Sequence, residues 1–330
     1  MVDSAQSVDV VDEISEQPAL VGDPTIERRA EADASGLRVS PFWGLVAAGS
    51  VALVGWLAPS GLLLLAFLGV VIATHEAGHL FVARRAGMLP TEFFWGFGPE
   101  VISFGRNGCR YGIRVLFLGG YVKLLGMTPS SPVPAGFPES GTYRAASVSG
   151  RLATILAGPA ANIAIAVLAF AAATLAAGGS VGEALVAGFS DVWFVIASTG
   201  EALWRWVANI GDYVAAVSDG SGATEAPVRF MSPVAQAEVS GWAVSGGLVT
   251  ALRWFGVLSC AVGVINLLPL PPLDGSHAAV AATEGVINRL APGHRVSIDV
   301  SRLVPVAYLT VGVLVFLSFT ALLLDLRDLS

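Results

Sequence analysis

Residues 70–81 carry the sequence VVIATHEAGHLF. Within it, His75 and His79 are four residues apart and therefore lie on one face of a helix, with Glu76 beside the first histidine. This is the H-E-x-x-H arrangement, in which two imidazoles bind one Zn²⁺ and a carboxylate takes a proton from zinc-bound water. The pattern predicts a catalytic zinc site with His75 and His79 as ligands and Glu76 as the general base.

The motif lies inside an apolar segment, Gly61–Ala83, that is long enough to span a membrane. Ionisable side chains within a spanning helix are costly and usually functional, so a metal site is favoured over a chance match on a structural helix. Glu76 has an alternative role, which is to hold a histidine without touching the metal. His79 precedes Arg84 by five residues, which places the site about 8 Å below the membrane surface at about 1.5 Å per residue.

The composition indicates a polytopic membrane protein. Hydrophobic residues make up 54% of the 330 residues and charged residues 13%, too few charges to cover a soluble protein this apolar. Acidic residues crowd into residues 1–40, which lack apolar periodicity and are expected to form a disordered cytoplasmic tail. Cys109 lies in a basic loop and Cys260 in an apolar segment, so they provide neither a disulfide framework nor a cysteine zinc site.

Five helices are expected to cross the membrane, because five uncharged or nearly uncharged runs approach the required length. They cover residues 42–57, 61–83, 152–177, 247–268 and 303–324. Arginine and lysine concentrate in the tail, in the loop after the second helix and in the segment 276–302, whereas residues 178–246 hold only two arginines. Since basic loops stay in the cytoplasm, the N-terminus is expected inside, residues 178–246 form an outer loop, and the C-terminus lies outside. Residues 41–275 then form the core, and residues 276–330 a cytoplasmic segment with the last spanning helix.

A β-hairpin is expected at residues 92–123, after the helix with the histidines. Residues 100–104 and 110–117 resemble strands, and Asn107-Gly108 between them is a strong signal for a tight turn. Residues 116–122 are too apolar for a solvated loop, so we expect them to dip into the membrane against the helices. In the outer loop, the aromatic residues around Trp193 favour a helix that lies at the membrane interface.

A catalytic zinc ion needs a third protein ligand. The best candidate is Asp274, which follows the proline-rich stretch NLLPLPPL at residues 266–273. Asp274-Gly275 alone is equally compatible with a simple turn after a helix end. His277 and His294 compete for the ligand role, although their more polar surroundings favour solvated or supporting groups.

Four motifs in this order resemble those of the site-2 proteases, a family of intramembrane metalloproteases, in its bacterial branch. They are His75-Glu76-Ala77-Gly78-His79, Gly119-Gly120-Tyr121-Val122-Lys123, Arg151 with Ala157-Gly158-Pro159-Ala160-Ala161-Asn162, and Asn266-x-x-Pro269-x-Pro271-x-x-Asp274-Gly275. They extend over most of the chain between Gly61 and Gly275, and their agreement makes the resemblance specific.

The resemblance implies an α-helical polytopic enzyme in a bacterial cell membrane, with one Zn²⁺ per chain and Asp274 as the third ligand. It implies substrate-binding roles for Asn162 and Asn266, although an asparagine in a spanning helix otherwise suggests a hydrogen bond between helices. Gly119, Gly120 and Tyr121 are expected to belong to a loop whose edge pairs with an extended substrate. The expected partners are membrane lipids and a single-span membrane protein, such as an anti-sigma factor or a signal-peptide remnant, and no nucleic acid is expected.

Two features depart from the family pattern. Many members carry a PDZ domain in the position of residues 178–246, where this sequence lacks a run of alternating strands, so no PDZ domain is expected. The segment 42–57 and the acidic tail have no counterpart in the common four-span core.

Two other functions fit the same zinc motif: a non-proteolytic zinc scaffold or metal carrier, and a zinc protease of the prenyl-protein type. The few ionisable residues in the other spans argue against transport, and the second class lacks the Asn266–Gly275 segment.

Overall fold

A computed structural model describes residues 36–127, 132–134, 137–212, 231–291 and 296–328. The strands within them are β1 (Arg38–Val39), β2 (Pro90–Arg106) and β3 (Cys109–Leu124). The helices are α1 (Pro41–Leu57), α2 (Pro59–Arg85), α3 (Val148–Ala176), α4 (Val181–Ala208), α5 (Pro233–Ser245), α6 (Leu248–Asn266), α7 (Asp274–Leu290) and α8 (Val304–Asp328). Residues 1–35 of the expected tail and His294 lie outside the described residues, and the end of that tail forms β1.

Five of the described helices are long and apolar enough to cross a membrane, namely α2, α3, α4, α6 and residues Val304–Leu323 of α8. The prediction of a polytopic helical membrane protein with about five spanning helices is therefore confirmed. The set differs at α1, which was expected to span but has 17 residues. At about 1.5 Å per residue this helix is about 26 Å long, shorter than the hydrocarbon core of about 30 Å. It ends because Ala58 precedes a proline, which disfavours helical backbone at the residue before it.

Helix α4 lies within residues 178–246 and takes the place of α1 among the five candidates, whereas the sequence predicted an outer loop with an interfacial helix there. Ala184, Gly188, Val192 and Val195 recur every three or four residues along α4 and are buried, with Val192 and Val195 in one hydrophobic cluster with residues of α3 and α6. The turn at Gly178, whose φ is 90°, sends α4 back along α3. The described part of 178–246 thus holds a long packed helix and α5, which leads back to α6.

Helix α3 is the centre of the bundle, in contact with α2, α4, α6 and α7. Small residues allow these helices to approach closely. A Cβ on Gly78 of α2 would lie 2.4 Å from the Ala157 carbonyl oxygen, and one on Gly263 of α6 would lie 3.0 Å from the Pro159 carbonyl oxygen. Helix α3 therefore fixes the relative positions of the helices that carry the predicted site.

The three strands form one sheet in the order β1-β2-β3, with antiparallel pairing. The predicted tight turn is present, since Asn107 and Gly108 have φ angles of 53° and 70°. Strand β2 bends at Gly96 and Gly98, so Phe94 pairs with both Gly112 and Tyr121 of β3. The second half of β3 consequently becomes an edge, which packs beside α2.

Candidate metal centre

The structure brings His75, His79 and Asp274 together. The Asp274 Oδ2 lies 2.8 Å from His75 Nε2 and 3.3 Å from His79 Nε2. The two Nε2 atoms are 3.1 Å apart. Two imidazole nitrogens and one carboxylate oxygen that converge in this way form the donor set of a catalytic zinc site with one position left for water.

The histidines converge because α2 places them one helical turn apart on the face turned toward α3. Gly158 of α3 faces the Nε2 atoms of both histidines, and a Cβ there would be 2.3 Å from His79 Nε2 and 2.7 Å from His75 Nε2. A side chain of any size would fill the space toward which the ligand atoms point. The three ligands and the space left by Gly158 therefore fit a bound metal ion.

Asp274 reaches the site as the first residue of α7, after the break that follows α6. Gly275 is required beside it, since a Cβ would lie 2.2 Å from the Leu267 carbonyl oxygen. Burial alone would raise the pKa of Asp274, but the hydrogen bonds and charges of His75 and His79 outweigh it and hold that pKa well below its usual range. A metal ligand binds in its deprotonated form, which for Asp274 is the carboxylate.

Backbone and side-chain groups of α3 orient the two histidines. The Nδ1 of His79 lies 2.8 Å from the Thr154 carbonyl oxygen, and the Nδ1 of His75 lies 3.1 Å from the Asn162 amide nitrogen. A carbonyl oxygen can only accept, so His79 carries its hydrogen on Nδ1 and leaves Nε2 free for a metal. The sequence does not predict the role of Thr154, because it acts through its backbone oxygen, which any residue at that position would provide.

A cavity of about 560 Å³ opens onto the three ligands. Glu76, Asn266, Gly119, Gly120, Tyr121 and His277 are among its lining residues. Glu76 lies against the edge of β3, since a Cβ on Gly120 would be 2.9 Å from its Cγ. A carboxylate, three ligand groups and a strand edge therefore face one cavity.

The predicted site residues fall into two groups. Most of them line the cavity, whereas Asn162 is fully buried behind His75 and does not line it. His277 lines the cavity three residues after Asp274, and burial lowers the pKa of its imidazole, which keeps it neutral at pH 7. Phe97, which no sequence pattern singles out, also lines the cavity, because the bend of β2 brings it there.

Comparison with known proteins gives consistent results. Residues 63–309, about three quarters of the chain, match the family model described as peptidase family M50. The chain is 26% identical over 318 residues to a Brucella suis protein provisionally ascribed to the zinc metalloproteases, covering 66% of this chain and 84% of that protein.

Two further relatives match over shorter stretches. Zinc metalloprotease Rip1 of Mycobacterium tuberculosis is 38% identical over 96 residues, which cover 29% of this chain and 24% of Rip1. Zinc metalloprotease RasP of Oceanobacillus iheyensis is 51% identical over 61 residues, which cover 18% of this chain and 14% of RasP. The high identity is thus confined to a small part of each of these two relatives.

Proposed function

Because the chain belongs to peptidase family M50, the site-2 proteases, we propose that it cuts a transmembrane segment of a single-span membrane protein. The chain is a multi-pass zinc metalloendopeptidase of the membrane. The observation that carries the finer proposal is the position of the ligand cluster: His75 and His79 lie on a candidate spanning helix and converge with Asp274. A peptide bond must therefore come to this depth to be cut.

In this proposal, His75, His79 and Asp274 hold the zinc ion. When bound, zinc lowers the pKa of a coordinated water to about 7 and polarises a peptide carbonyl. Glu76 accepts the proton of the attacking water and passes it to the leaving amine nitrogen as the C–N bond breaks. Its place beside the first ligand and at the cavity wall supports this role. Asn266, also in the wall, is placed to donate a hydrogen bond to the substrate backbone.

The edge of β3 is suited to present the substrate. Residues 120–124 pair with β2 on one side, and Gly119, Gly120 and Tyr121 line the cavity on the other. An extended segment that adds to such an edge gains main-chain hydrogen bonds. The bond to be cut is shielded while it lies in a helix, so the substrate must unwind before hydrolysis, and the strand edge stabilises the unwound form.

We further propose that the N-terminus is cytoplasmic and that the site opens to the cytoplasm. Arg84 and Arg85 end α2 only five and six residues after His79, and basic residues near helix ends favour the cytoplasmic side. The pairing of β1 with β2 supports this orientation: it keeps residues 38–39 beside the hairpin that follows Arg85, and α1 leads from there to the start of α2. Substrates of the expected class are an anti-sigma factor or a signal-peptide remnant already shortened outside the membrane.

Mass spectrometry of membrane peptides tests the proposal. Cells that produce the wild-type chain are compared with cells that produce Glu76→Gln at the same level and with the same zinc content. We expect a peptide cut within its spanning segment in the wild-type membranes and the uncut segment in Glu76→Gln membranes. Identical peptides in both would overturn the proposal and favour a zinc-binding scaffold.

A further inference from the structure

Asn162 contacts His75 through its amide nitrogen. In this arrangement the Asn162 side-chain oxygen has no hydrogen-bond partner, and a metal-binding His75 has no acceptor for the hydrogen on Nδ1. The Asn162 Nδ2 lies 3.1 Å from His75 Nδ1, while the Asn162 Oδ1 is buried without a hydrogen-bond partner. A buried amide oxygen without a partner costs about 1–3 kcal/mol. Asn162 is also one of the largest fully buried side chains in the described residues, so solvent does not supply the missing partner.

The direction of this hydrogen bond follows from the other side of the His75 ring. His75 Nε2 points to Asp274 and to His79 Nε2, the place where a metal needs its lone pair. A neutral imidazole carries its hydrogen on one nitrogen, so the hydrogen of a metal-binding His75 is on Nδ1 and requires an acceptor. An amide NH₂ group cannot accept it, but an amide oxygen can.

A half-turn of the Asn162 amide resolves both problems. The oxygen and nitrogen of an amide are nearly equal in shape, and their assignment follows from the hydrogen-bond network. After the turn, Oδ1 accepts from His75 Nδ1–H and no longer lacks a partner.

We propose that Asn162 is a positioning residue, whose Oδ1 holds His75 in the tautomer and orientation that present Nε2 to the metal. The inference rests on the proposed metal site and reassigns Asn162 from the substrate to the ligand His75. Its exclusion from the cavity agrees with this role, because a side chain that does not reach the cavity cannot bind substrate. Groups of this kind typically change metal affinity by about 10- to 100-fold when they are removed.

The surroundings hold Asn162 in place. The backbone carbonyl oxygen of Asn162 accepts a hydrogen bond from Ser259 Oγ at 2.9 Å, which ties α3 to α6. A Cβ on Gly263 would lie 3.2 Å from the Asn162 Cβ, so α6 packs directly against the residue. His79 is held through its own Nδ1 by Thr154, eight residues earlier on α3. The same helix therefore orients both ligands.

The first test measures zinc affinity by competition with a chelator, on the full chain in detergent and without substrate. Asn162→Asp keeps an acceptor at the same distance, whereas Asn162→Leu has a similar volume and none. We expect about 10- to 100-fold weaker zinc binding in Asn162→Leu and an affinity within a few fold of wild type in Asn162→Asp. Asn266→Leu, a matched change in the cavity wall, should leave zinc affinity unchanged. Wild-type affinity in Asn162→Leu, or an equal loss in both Asn162 variants, would overturn the proposal.

The second test needs no variant. Nitrogen NMR of the wild-type chain labelled at histidine should show the His75 ring with its hydrogen on Nδ1 and the metal on Nε2. The reverse assignment would overturn the positioning role. Neither measurement involves peptide cleavage. The role of Asn162 and the proposed protease activity, which the Glu76→Gln comparison tests, can therefore fail independently of each other.

Discussion

Two walls face each other across the catalytic cavity, and they are built by different means. The helical wall consists of the ligand residues on α2 and α7 with α3 behind them. The strand wall is the edge of β3 from Gly119 to Val122. The helical wall is defined by side chains that hold one another at 2.8–3.3 Å. The strand wall offers two glycines and its backbone.

The strand wall nevertheless has one fixed side chain. Tyr121 donates a hydrogen bond from its hydroxyl to Glu92 Oε2 at 2.7 Å, and its ring stacks on Phe94 and Phe97. Burial, and after it Glu92, raises the pKa of Tyr121, so the hydroxyl stays protonated and the bond persists through alkaline pH. The comparison indicates that metal chemistry depends on the helical wall, and substrate handling on the strand wall.

The largest expected effect is on the anchor of α7 in the helical wall. Arg151 Nη1 lies 2.5 Å from Glu284 Oε2, and both residues are buried. Arg151→Met leaves the Glu284 carboxylate buried without its partner, which should cost about 3–5 kcal/mol of unfolding free energy. In Arg151→Met/Glu284→Gln the charge is gone and the amide oxygen still accepts from Ile298 N, as Glu284 Oε1 does now. We expect the double variant to recover most of the loss in thermal unfolding; equal losses would show that the pair does not anchor α7.

The next effect concerns the space for the metal. Gly158→Ala places a methyl group among the ligand atoms, and overpacking of this kind costs about 1–3 kcal/mol. Zinc affinity should therefore fall by roughly 10- to 100-fold, at about 1.4 kcal/mol per tenfold change. Gly200→Ala is the control, because a Cβ at this helical glycine meets nothing within 4 Å. Unchanged zinc content in Gly158→Ala would contradict the assigned site.

A smaller effect is expected in the strand wall. A Cβ on Gly120 would lie 3.1 Å from the Phe94 carbonyl oxygen and 2.9 Å from Glu76 Cγ. Gly120→Ala should lower kcat/KM for a membrane substrate about tenfold, equivalent to about 1.4 kcal/mol, with zinc affinity unchanged. A loss of zinc in this variant would erase the distinction between the two walls.

The smallest effect should follow removal of the Tyr121 hydroxyl. Tyr121→Phe keeps the stacked ring but loses the hydrogen bond to Glu92, which should cost about 0.5–1.5 kcal/mol. We expect a slightly lower unfolding midpoint and a higher KM, with kcat within about twofold of wild type. A large fall in kcat would instead assign the hydroxyl a part in the chemistry.

The sequence predicted the two walls to different depths. For the helical wall, the spacing of His75 and His79 predicted that both side chains face the same site, because a helix fixes which residues share a face. The family resemblance singled out Asp274, which no local pattern separates from a turn. Asn107-Gly108 predicted the hairpin turn, but the second bend of β2, at Gly96 and Gly98, depends on long-range pairing.

Helix α4 was missed as a candidate span because charged residues interrupt its apolar run. Three of these charges are paired: Arg205 with Glu201 of the same helix at 2.6 Å, and Asp191 with Arg253 of α6 at 3.6 Å. Pairing lowers the cost of such residues, and a sequence does not show the pair that Asp191 makes with another helix. The orientation of Asn162 toward His75 was hidden for the same reason, since it depends on how α3 packs on α2.

X-ray absorption at the zinc edge, with zinc content per chain, tests the central claim most directly. In the purified wild-type chain we expect one zinc ion with imidazole nitrogens and oxygens at about 2.0–2.2 Å. In Asp274→Ala the bound zinc should be lost or its shell should lose an oxygen, while circular dichroism shows the same helix content. Sulfur neighbours at about 2.3 Å, or an unchanged zinc shell in Asp274→Ala, would contradict the assignment of His75, His79 and Asp274 as the ligands.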